Sequence, residues 1–224
     1  MPKLKITDRE KDIIKNAVTE AESKTSGEIA VAFIKESSSY ALYELIFAVI
    51  VGFIYFVTIT FFVHNVESWL QNKFWDYNTV YLLSFYGFST FIFISVAYFI
   101  ANISYIDRLI TPKKIMEQKT RQRALRYFIE SGVCYTKEQT GILIFISLLE
   151  HRVELIADKG ISEKINDDKW NGMVAYIIEG IKKDKIAEHL SNAVSECGEL
   201  LAKHFPIKKD DINELADDIK ILEK

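Results

Sequence analysis

Cysteine, excess positive charge and recognisable catalytic motifs are scarce or missing in this sequence. Only Cys134 and Cys197 are present, and they form no CxxC pair and no disulfide framework. A formal net charge of −3 gives no basic excess of the kind that nucleic-acid-binding proteins carry. The P-loop, GxGxxG, HExxH and GxSxG patterns do not occur, and the four histidines lack metal-ligand spacing. These absences argue against a disulfide scaffold and a nucleic-acid partner, and no nucleophile can be named.

Charge is nearly absent from one long block, residues 41–106. The block contains four charged residues, Glu44, Glu67, Lys73 and Asp76, together with 20 of the chain's 29 aromatic residues. Such an uneven distribution excludes a simple soluble single domain. A hydrophobic content of 49% also excludes a predominantly disordered chain.

Two uncharged runs inside this block have the length of membrane spans. Residues 45–63 carry no charge and would extend roughly 28 Å as a helix, close to the ~30 Å hydrocarbon core of a bilayer. The second run covers residues 77–106, and its span is expected near residues 80–101. The alternative is a buried helix pair, but such helices usually interrupt their apolar face with charges. The sequence therefore predicts a transmembrane hairpin over residues 41–106.

Positive residues predict the orientation of this hairpin. Seven follow the second span within 20 residues, whereas the connector between the spans holds only Lys73. The positive-inside rule then places both termini and the soluble domain in the cytoplasm, in a protein integral to the inner or plasma membrane. Because the spans carry no embedded charge, they are expected to act as an anchor with the lipid bilayer as partner.

The remaining sequence predicts a small α/β domain, a sheet flanked by helices, which the hairpin interrupts. Apolar runs predict a strand at residues 28–35 and a β-hairpin from strands at 141–148 and 152–158. Helical spacing of apolar residues predicts helices after Thr7 and at 112–131, 167–183 and 185–205. The expected divisions are residues 1–40 and 107–206 for the two parts of this domain, 41–106 for the hairpin, and 207–224 for a charged tail. The tail is expected to be solvated, with at most a short amphipathic turn at 219–222.

Three stretches resemble the TPM domain family. They are TSGEIAVAF at 25–33, TGILIFISLLEHRVELIADKGI at 140–161 and HFPIKKDDINELADD at 204–218. The last stretch and the inserted hairpin are most similar to the bacterial membrane-protein branch of this family. The resemblance implies two kinds of function, since some plant members are reported as acidic phosphatases with metal-binding carboxylates and others assist assembly or repair of membrane complexes.

Glu28 and Asp158 are the candidate metal ligands. Glu28 matches the acidic residue at the family's G-x-E strand start, and both residues are expected at strand ends, where carboxylates could hold calcium or magnesium. The alternative is that Glu28 caps a sheet edge and Asp158 initiates the turn at Lys159 and Gly160. The chain departs from the phosphatase-like members, because Gln139 and Thr140 stand where those members have an acidic or amide pair.

A basic cluster follows the second span directly. Its members, which could attract anionic lipid at roughly 1 kcal/mol each, are Lys113, Lys114, Arg121, Arg123 and Arg126. The arginines could instead grip a phosphate or an acidic partner.

These features predict a membrane-anchored TPM-domain protein that serves as an interaction, assembly or quality-control module for a membrane complex. Other membrane proteins are the expected partners, and nucleic acid is not. The alternative is a metal-dependent phosphatase that acts at the membrane surface with calcium or magnesium. The sequence does not decide whether the protein is an enzyme.

Overall fold

A computed structural model describes residues 6–165, 167–208 and 213–222. The chain divides into two compact units: Ser39–Pro112, and the described residues on either side of that segment. The helices, in chain order, are α1 Asp8–Glu22, α2 Ala41–Thr60, α3 Val63–Lys73, α4 Thr79–Ala101, α5 Ser104–Ile110, α6 Lys113–Glu130, α7 Lys159–Ser162, α8 Asp167–Lys182 and α9 Ile186–His204. The strands are β1 Glu28–Ile34, β2 Gly141–Ser147, β3 Arg152–Ala157 and β4 Lys220–Leu222.

The larger unit is built on a four-stranded sheet in the order β3-β2-β1-β4. Strands β1 and β2 are parallel, with Glu28 opposite Gly141, and β4 lies parallel to β1 on its other side. Strand β3 returns antiparallel to β2 after a tight turn. Every residue of β2 is buried, as expected for a strand covered on both faces. The predicted strand at 28–35 and the predicted β-hairpin are confirmed.

Helices α1, α8 and α9 cover one face of the sheet. They pack around alternate residues of β1, among them Ile29, Val31 and Phe33. Helix α1 begins at the predicted capping box, where the Glu10 N–H donates to Thr7 Oγ1 at 3.3 Å and the Thr7 N–H donates to Glu10 Oε2 at 2.7 Å. This face contains the larger of the two hydrophobic clusters. Helices α1, α8 and α9 lie where the apolar spacing predicts them, so these helix positions are confirmed.

Helix α6 and a 3₁₀ helix at Val133–Tyr135 cover the opposite face. Ala124 and Phe128 of α6 pack with Phe145 of β2, and Leu215 and Leu222 from the C-terminal segment complete this smaller cluster. The mixed α/β fold, with a small sheet flanked by helices, is therefore as predicted.

The C-terminal segment differs from its expected form. The sequence predicts a solvated tail with at most a short turn at 219–222, whereas the structure has strand β4 there, in register with Ala32–Ile34 of β1. Ile219 packs against the larger cluster and Leu222 against the smaller one. The difference arises because the apolar residues of this segment meet distant parts of the chain, and local periodicity carries no signal of such contacts.

The smaller unit is a pair of long apolar helices, α2 and α4. Two shorter helices that were not predicted, α3 in the connector and α5 after α4, complete it. The rings of Tyr55 and Phe93 stack at 4.3 Å between centroids. A Cβ atom at Gly52 would lie 2.2 Å from Ile94 Cγ1, so glycine allows α2 to approach α4 closely at this point.

Candidate functional site

Glu28 is a buried carboxylate at the first residue of β1. Its Oε1 accepts the N–H of Glu214 at 3.0 Å, and its Oε2 accepts the N–H of Leu215 at 3.3 Å. Both hydrogen bonds join the start of β1 to the C-terminal segment. Glu28 therefore caps the edge of the sheet, one of the two roles considered for it above.

Asp158 follows β3 and serves as the N-cap of α7. Its Oδ1 accepts the N–H of Lys159 at 2.7 Å, so it initiates the turn as the alternative to metal binding requires. Strand β2 lies between the strands that carry Glu28 and Asp158, which separates their backbones by about 10 Å. Among the residues that the structure describes, no three His, Cys, Asp or Glu side chains are grouped to hold a metal. The metal site at these two residues stays a prediction.

A third carboxyl group, Glu22 at the end of α1, lies beside Glu28 and was missed by the sequence analysis. Its Oε1 accepts the N–H of Ile29 at 2.7 Å. Burial, and to a smaller extent the nearby negative charges of Glu28 and Asp217, raise the pKa of Glu22 to about 8. At neutral pH most of the Glu22 carboxyl groups are therefore protonated and uncharged. A glutamate at the end of a polar helix gives no sequence signal for this role.

Asp217 is the partner of Glu22 in the C-terminal segment. Burial alone would raise the pKa of Asp217, but hydrogen bonds donated by Thr19 and Asn213 stabilise the charged form and lower the pKa overall. The Thr19 hydroxyl donates to Asp217 Oδ2 at 2.5 Å. Next to it, Lys15 Nζ lies 2.6 Å from Asp218 Oδ1. Asp217 and Asp218 therefore bind α1, while the carboxylate of Glu214 accepts the N–H of Lys137 at 3.0 Å.

This acidic cluster, defined as Glu22, Glu28 and Asp217, fastens the C-terminal segment to α1 and β1. The proton on Glu22 removes one negative charge from this cluster, which reduces its repulsion with the carboxylates of Glu28 and Asp217. Asp210 and Asp211, which belong to the predicted charged tail, lie outside the described residues.

The basic residues of α6 fall into two groups. Arg121 Nη1 lies 3.4 Å from Glu154 Oε2, and Arg123 Nη1 lies 3.6 Å from Glu130 Oε2. The other three, Lys113, Lys114 and Arg126, are exposed and form no ion pair within the described part of the chain. The second group is thus available to bind an anionic ligand or surface.

The two long helices expose most of their large apolar side chains. Phe91 is 69% exposed and Phe99 74% exposed, and Trp75 in the connector is fully exposed. Both α2 and α4 are long and apolar enough to cross a membrane. At one end of the pair, the buried Glu44 accepts a hydrogen bond from Asn102 Nδ2 at 2.9 Å, which links the start of α2 to the end of α4.

The fold is that of a small α/β domain, in which helices cover a four-stranded mixed sheet. An apolar helix pair is inserted after the first strand. The sequence model of the TPM domain matches residues 105–200. The match confirms the resemblance to the TPM domain over these residues.

One solved structure supports the fold. The NMR structure of the BA42 protein from the psychrophilic bacterium Bizionia argentinensis aligns with a TM-score of 0.58 and 22% sequence identity, over 99% of this chain and 100% of that chain. At this identity the similarity shows the fold alone. The comparison with curated proteins found no significant match.

Proposed function

We propose that this protein is a TPM domain anchored in a membrane by its helix pair, where it acts as an interaction or assembly module for a membrane complex. The observation that carries the proposal is the exposed apolar surface of α2 and α4. Soluble monomers rarely expose contiguous apolar patches larger than a few hundred Å². Removing one large apolar side chain from water is favourable by about 1.5–3 kcal/mol, so a lipid environment stabilises this surface relative to water.

The dimensions of the helix pair support the same proposal. A helix of 20 residues, the length of α2, extends about 30 Å, and 23 residues, the length of α4, extend about 34 Å. Both lengths match the ~30 Å hydrocarbon core, allowing a modest tilt. Trp69 and Trp75 lie in and after α3 between the spans, where aromatic residues favour the headgroup region.

The exposed charges of α6 support the cytoplasmic orientation. Lys113 and Lys114 begin α6 just after the hairpin, and Arg126 extends the positive surface along the helix. Each positive residue near an anionic leaflet contributes about 1 kcal/mol of attraction. Lipid headgroups are therefore the ligands that we propose for this group, within a bilayer-anchored protein.

An interaction role is favoured over catalysis because the candidate acids hold the fold. Glu28 accepts two backbone hydrogen bonds from the C-terminal segment, and Asp158 caps α7. Assembly or quality control of other membrane proteins then needs a binding surface rather than a reaction centre.

Labelling of single cysteines in intact cells tests the anchor and its orientation. In a Cys134→Ser background, we expect Asn72→Cys to react with a membrane-impermeant maleimide and Lys220→Cys to react only after lysis. Cys197 can stay, because burial raises its pKa to about 12 and shields the thiol. The reverse labelling pattern would place the TPM domain outside. Extraction of the protein from membranes by alkaline carbonate would show that it is not integral to the membrane, and would contradict the proposed anchor.

A phosphatase assay tests the alternative function directly. The purified full chain in detergent is assayed on p-nitrophenyl phosphate with calcium, magnesium or a chelator. We expect no metal-dependent turnover. Turnover that a chelator abolishes, and that Glu28→Gln or Asp158→Asn removes without loss of folding, would instead assign the metal-dependent phosphatase.

A further inference from the structure

Strand β3 forms one edge of the sheet, and a groove of about 460 Å³ runs along it. Helix α6 packs over β3 on one face and α8 packs over it on the other. The walls that matter for recognition are formed by Arg121, Arg152, Glu154, Leu155, Trp170 and Val174. The volume lies in the range of ordinary ligand pockets.

The hydrogen-bond pattern of the sheet shows which peptide groups of β3 face this groove. Asp158 donates its N–H to Gly141 O at 2.9 Å, so every second residue before it, including Glu154, bonds to β2. The peptide groups of Val153, Leu155 and Ala157 must then point away from β2. The bond from Ser162 Oγ to Ala157 O, at 3.2 Å, agrees with this assignment. Val153 and Leu155 therefore present N–H and C=O groups to the groove.

The other edge of the sheet is strand β4, which pairs with β1 through only three residues. Strand β3 has six residues, so within the described residues it is the longer of the two edge strands. An unpaired edge with peptide groups directed outward is a template for another extended segment.

The two walls of the groove differ chemically. On the α6 side lie Arg121, which is 63% exposed, and Arg152, whose Nη2 is 3.1 Å from Glu117 Oε2. The distance of 3.4 Å between Arg121 and Glu154 is longer than a charge-assisted hydrogen bond, so Arg121 can take a better carboxylate partner. Burial raises the pKa of Glu154, which weakens its competition for that arginine.

On the α8 side the wall contains the apolar residues Trp170 and Val174 together with the polar residues Ser162 and Asn171. Trp170 is buried against the larger cluster, with Val174 one turn further along the helix. Side chains of a strand alternate between its two faces. A strand placed beside β3 would therefore direct one set of side chains toward the arginines and the other set toward Trp170 and Val174.

We propose that the edge of β3 binds an extended segment of a partner protein in which acidic and apolar residues alternate, and that this segment adds to the sheet as a fifth strand. This mode of recognition gains affinity from main-chain hydrogen bonds and specificity from alternate side chains. The proposal rests on the interaction role proposed above and names the surface and the chemistry of its partner.

Binding of two synthetic peptides tests this proposal. The full chain in nanodiscs of neutral phosphatidylcholine is titrated with an octapeptide of alternating Glu and Val, and with one of alternating Lys and Val. We expect the acidic peptide to bind at least about tenfold more tightly, since like-charge placement opposes the basic peptide. Hydrogen exchange at residues 152–157 should slow when the acidic peptide is bound.

Two variants locate the binding to the groove. Arg121→Glu should weaken the acidic peptide by about tenfold or more. Lys119→Glu is the matched control on the same helix, exposed and outside the groove, and should leave the affinity unchanged. Leu155→Pro removes one outward N–H at an edge position, where proline is tolerated, and should abolish the exchange protection while the thermal transition is retained.

Three outcomes would overturn the proposal. The first is unchanged exchange at residues 152–157 with saturating acidic peptide. The second is an equal effect of Arg121→Glu and Lys119→Glu, which would indicate general charge attraction. The third is concentration-dependent dimerisation with protection of β3 in the absence of peptide, which would make a second copy the occupant. None of these outcomes bears on membrane anchoring, which the cysteine labelling tests separately.

Discussion

The pair formed by Glu22 and Asp217 shows how a single proton can hold a chain segment in place. Glu22 lies where burial and two neighbouring carboxylates disfavour its charge, and its pKa is raised to about 8. Asp217 keeps its charge because Thr19 and Asn213 donate hydrogen bonds to it. The two groups avoid charge repulsion through a proton on Glu22 that an isolated glutamate would release near pH 4.5.

This pair predicts a specific dependence of stability on pH. Between pH 4.5 and about 8 the folded state keeps a proton on Glu22 that the unfolded state releases. The stabilisation is complete below pH 4.5 and is lost as the pH rises to about 8, at up to about 1.4 kcal/mol per pH unit. Glu22→Gln should flatten this dependence, because an amide can still accept from the Ile29 N–H and stays uncharged at any pH. Urea unfolding of both proteins in detergent between pH 5 and 9 measures the difference, and equal slopes would contradict the assignment.

Glu28 gives a second prediction at this scale. Glu28→Ala removes the acceptor for the Glu214 and Leu215 N–H groups, and hydrogen bonds to charged groups contribute about 1.5–3 kcal/mol. Hydrogen exchange at residues 213–222 should accelerate by tenfold or more, since about 1.4 kcal/mol is a factor of ten. Glu20→Ala removes only an exposed ion pair with Lys24 and should change the exchange little. Equal acceleration in both variants would refute the capping role.

At the scale of elements, the packing of α2 against α4 depends on one glycine. Gly52→Val would bring a stiff, branched side chain into Ile94 and push the helices apart. Gly87→Val in α4 is the matched control, because no atom lies within 4 Å of a Cβ at that position. We expect Gly52→Val to lower the midpoint of thermal unfolding in detergent and Gly87→Val to leave it nearly unchanged. If both variants unfold at a similar midpoint, Gly52 is not the point at which α2 packs closely against α4.

Elements with a strong local signal were predictable, and elements held by distant contacts were not. The apolar runs of β1 and β2, and the capping box of α1, identify those elements without a structure. Strand β4 was missed because its three residues are flanked by charges whose partners, such as Lys15 for Asp218, lie some 200 positions away. The carboxyl group of Glu22 was missed for the same reason, since its burial arises only when β1 and the C-terminal segment meet.

For the whole molecule, the orientation in the membrane should depend on the charges that follow the hairpin. Changing Lys113, Lys114 and Lys119 together to Gln removes three of the seven positive residues near the end of the second apolar helix. The positive-inside rule counts residues within about 15–20 positions of a span, so a measurable fraction of the protein should invert. Labelling at Lys220→Cys in intact cells would detect that fraction.

A matched triple variant provides the control for this prediction. Lys182, Lys183 and Lys203 carry the same charge but lie in and around α8 and α9, far along the chain from the hairpin. Changing these three residues to Gln should leave the labelling pattern the same as in the parent protein. If both triple variants behave alike, the charges after the hairpin do not set the orientation.

The parallel pairing of β1 with β2 also governs when this protein can fold during synthesis. More than 100 residues separate Ile34 from Gly141, and all of the hairpin lies between them. At 5–20 residues per second, the ribosome needs roughly 5–20 s to supply β2 after β1 has emerged. During that interval the segment EIAVAFI has no native strand to pair with, although its apolar character favours pairing with any exposed edge. The inserted hairpin thus imposes a waiting time, and the nascent chain must keep its first strand from aggregating until translation has passed residue 147.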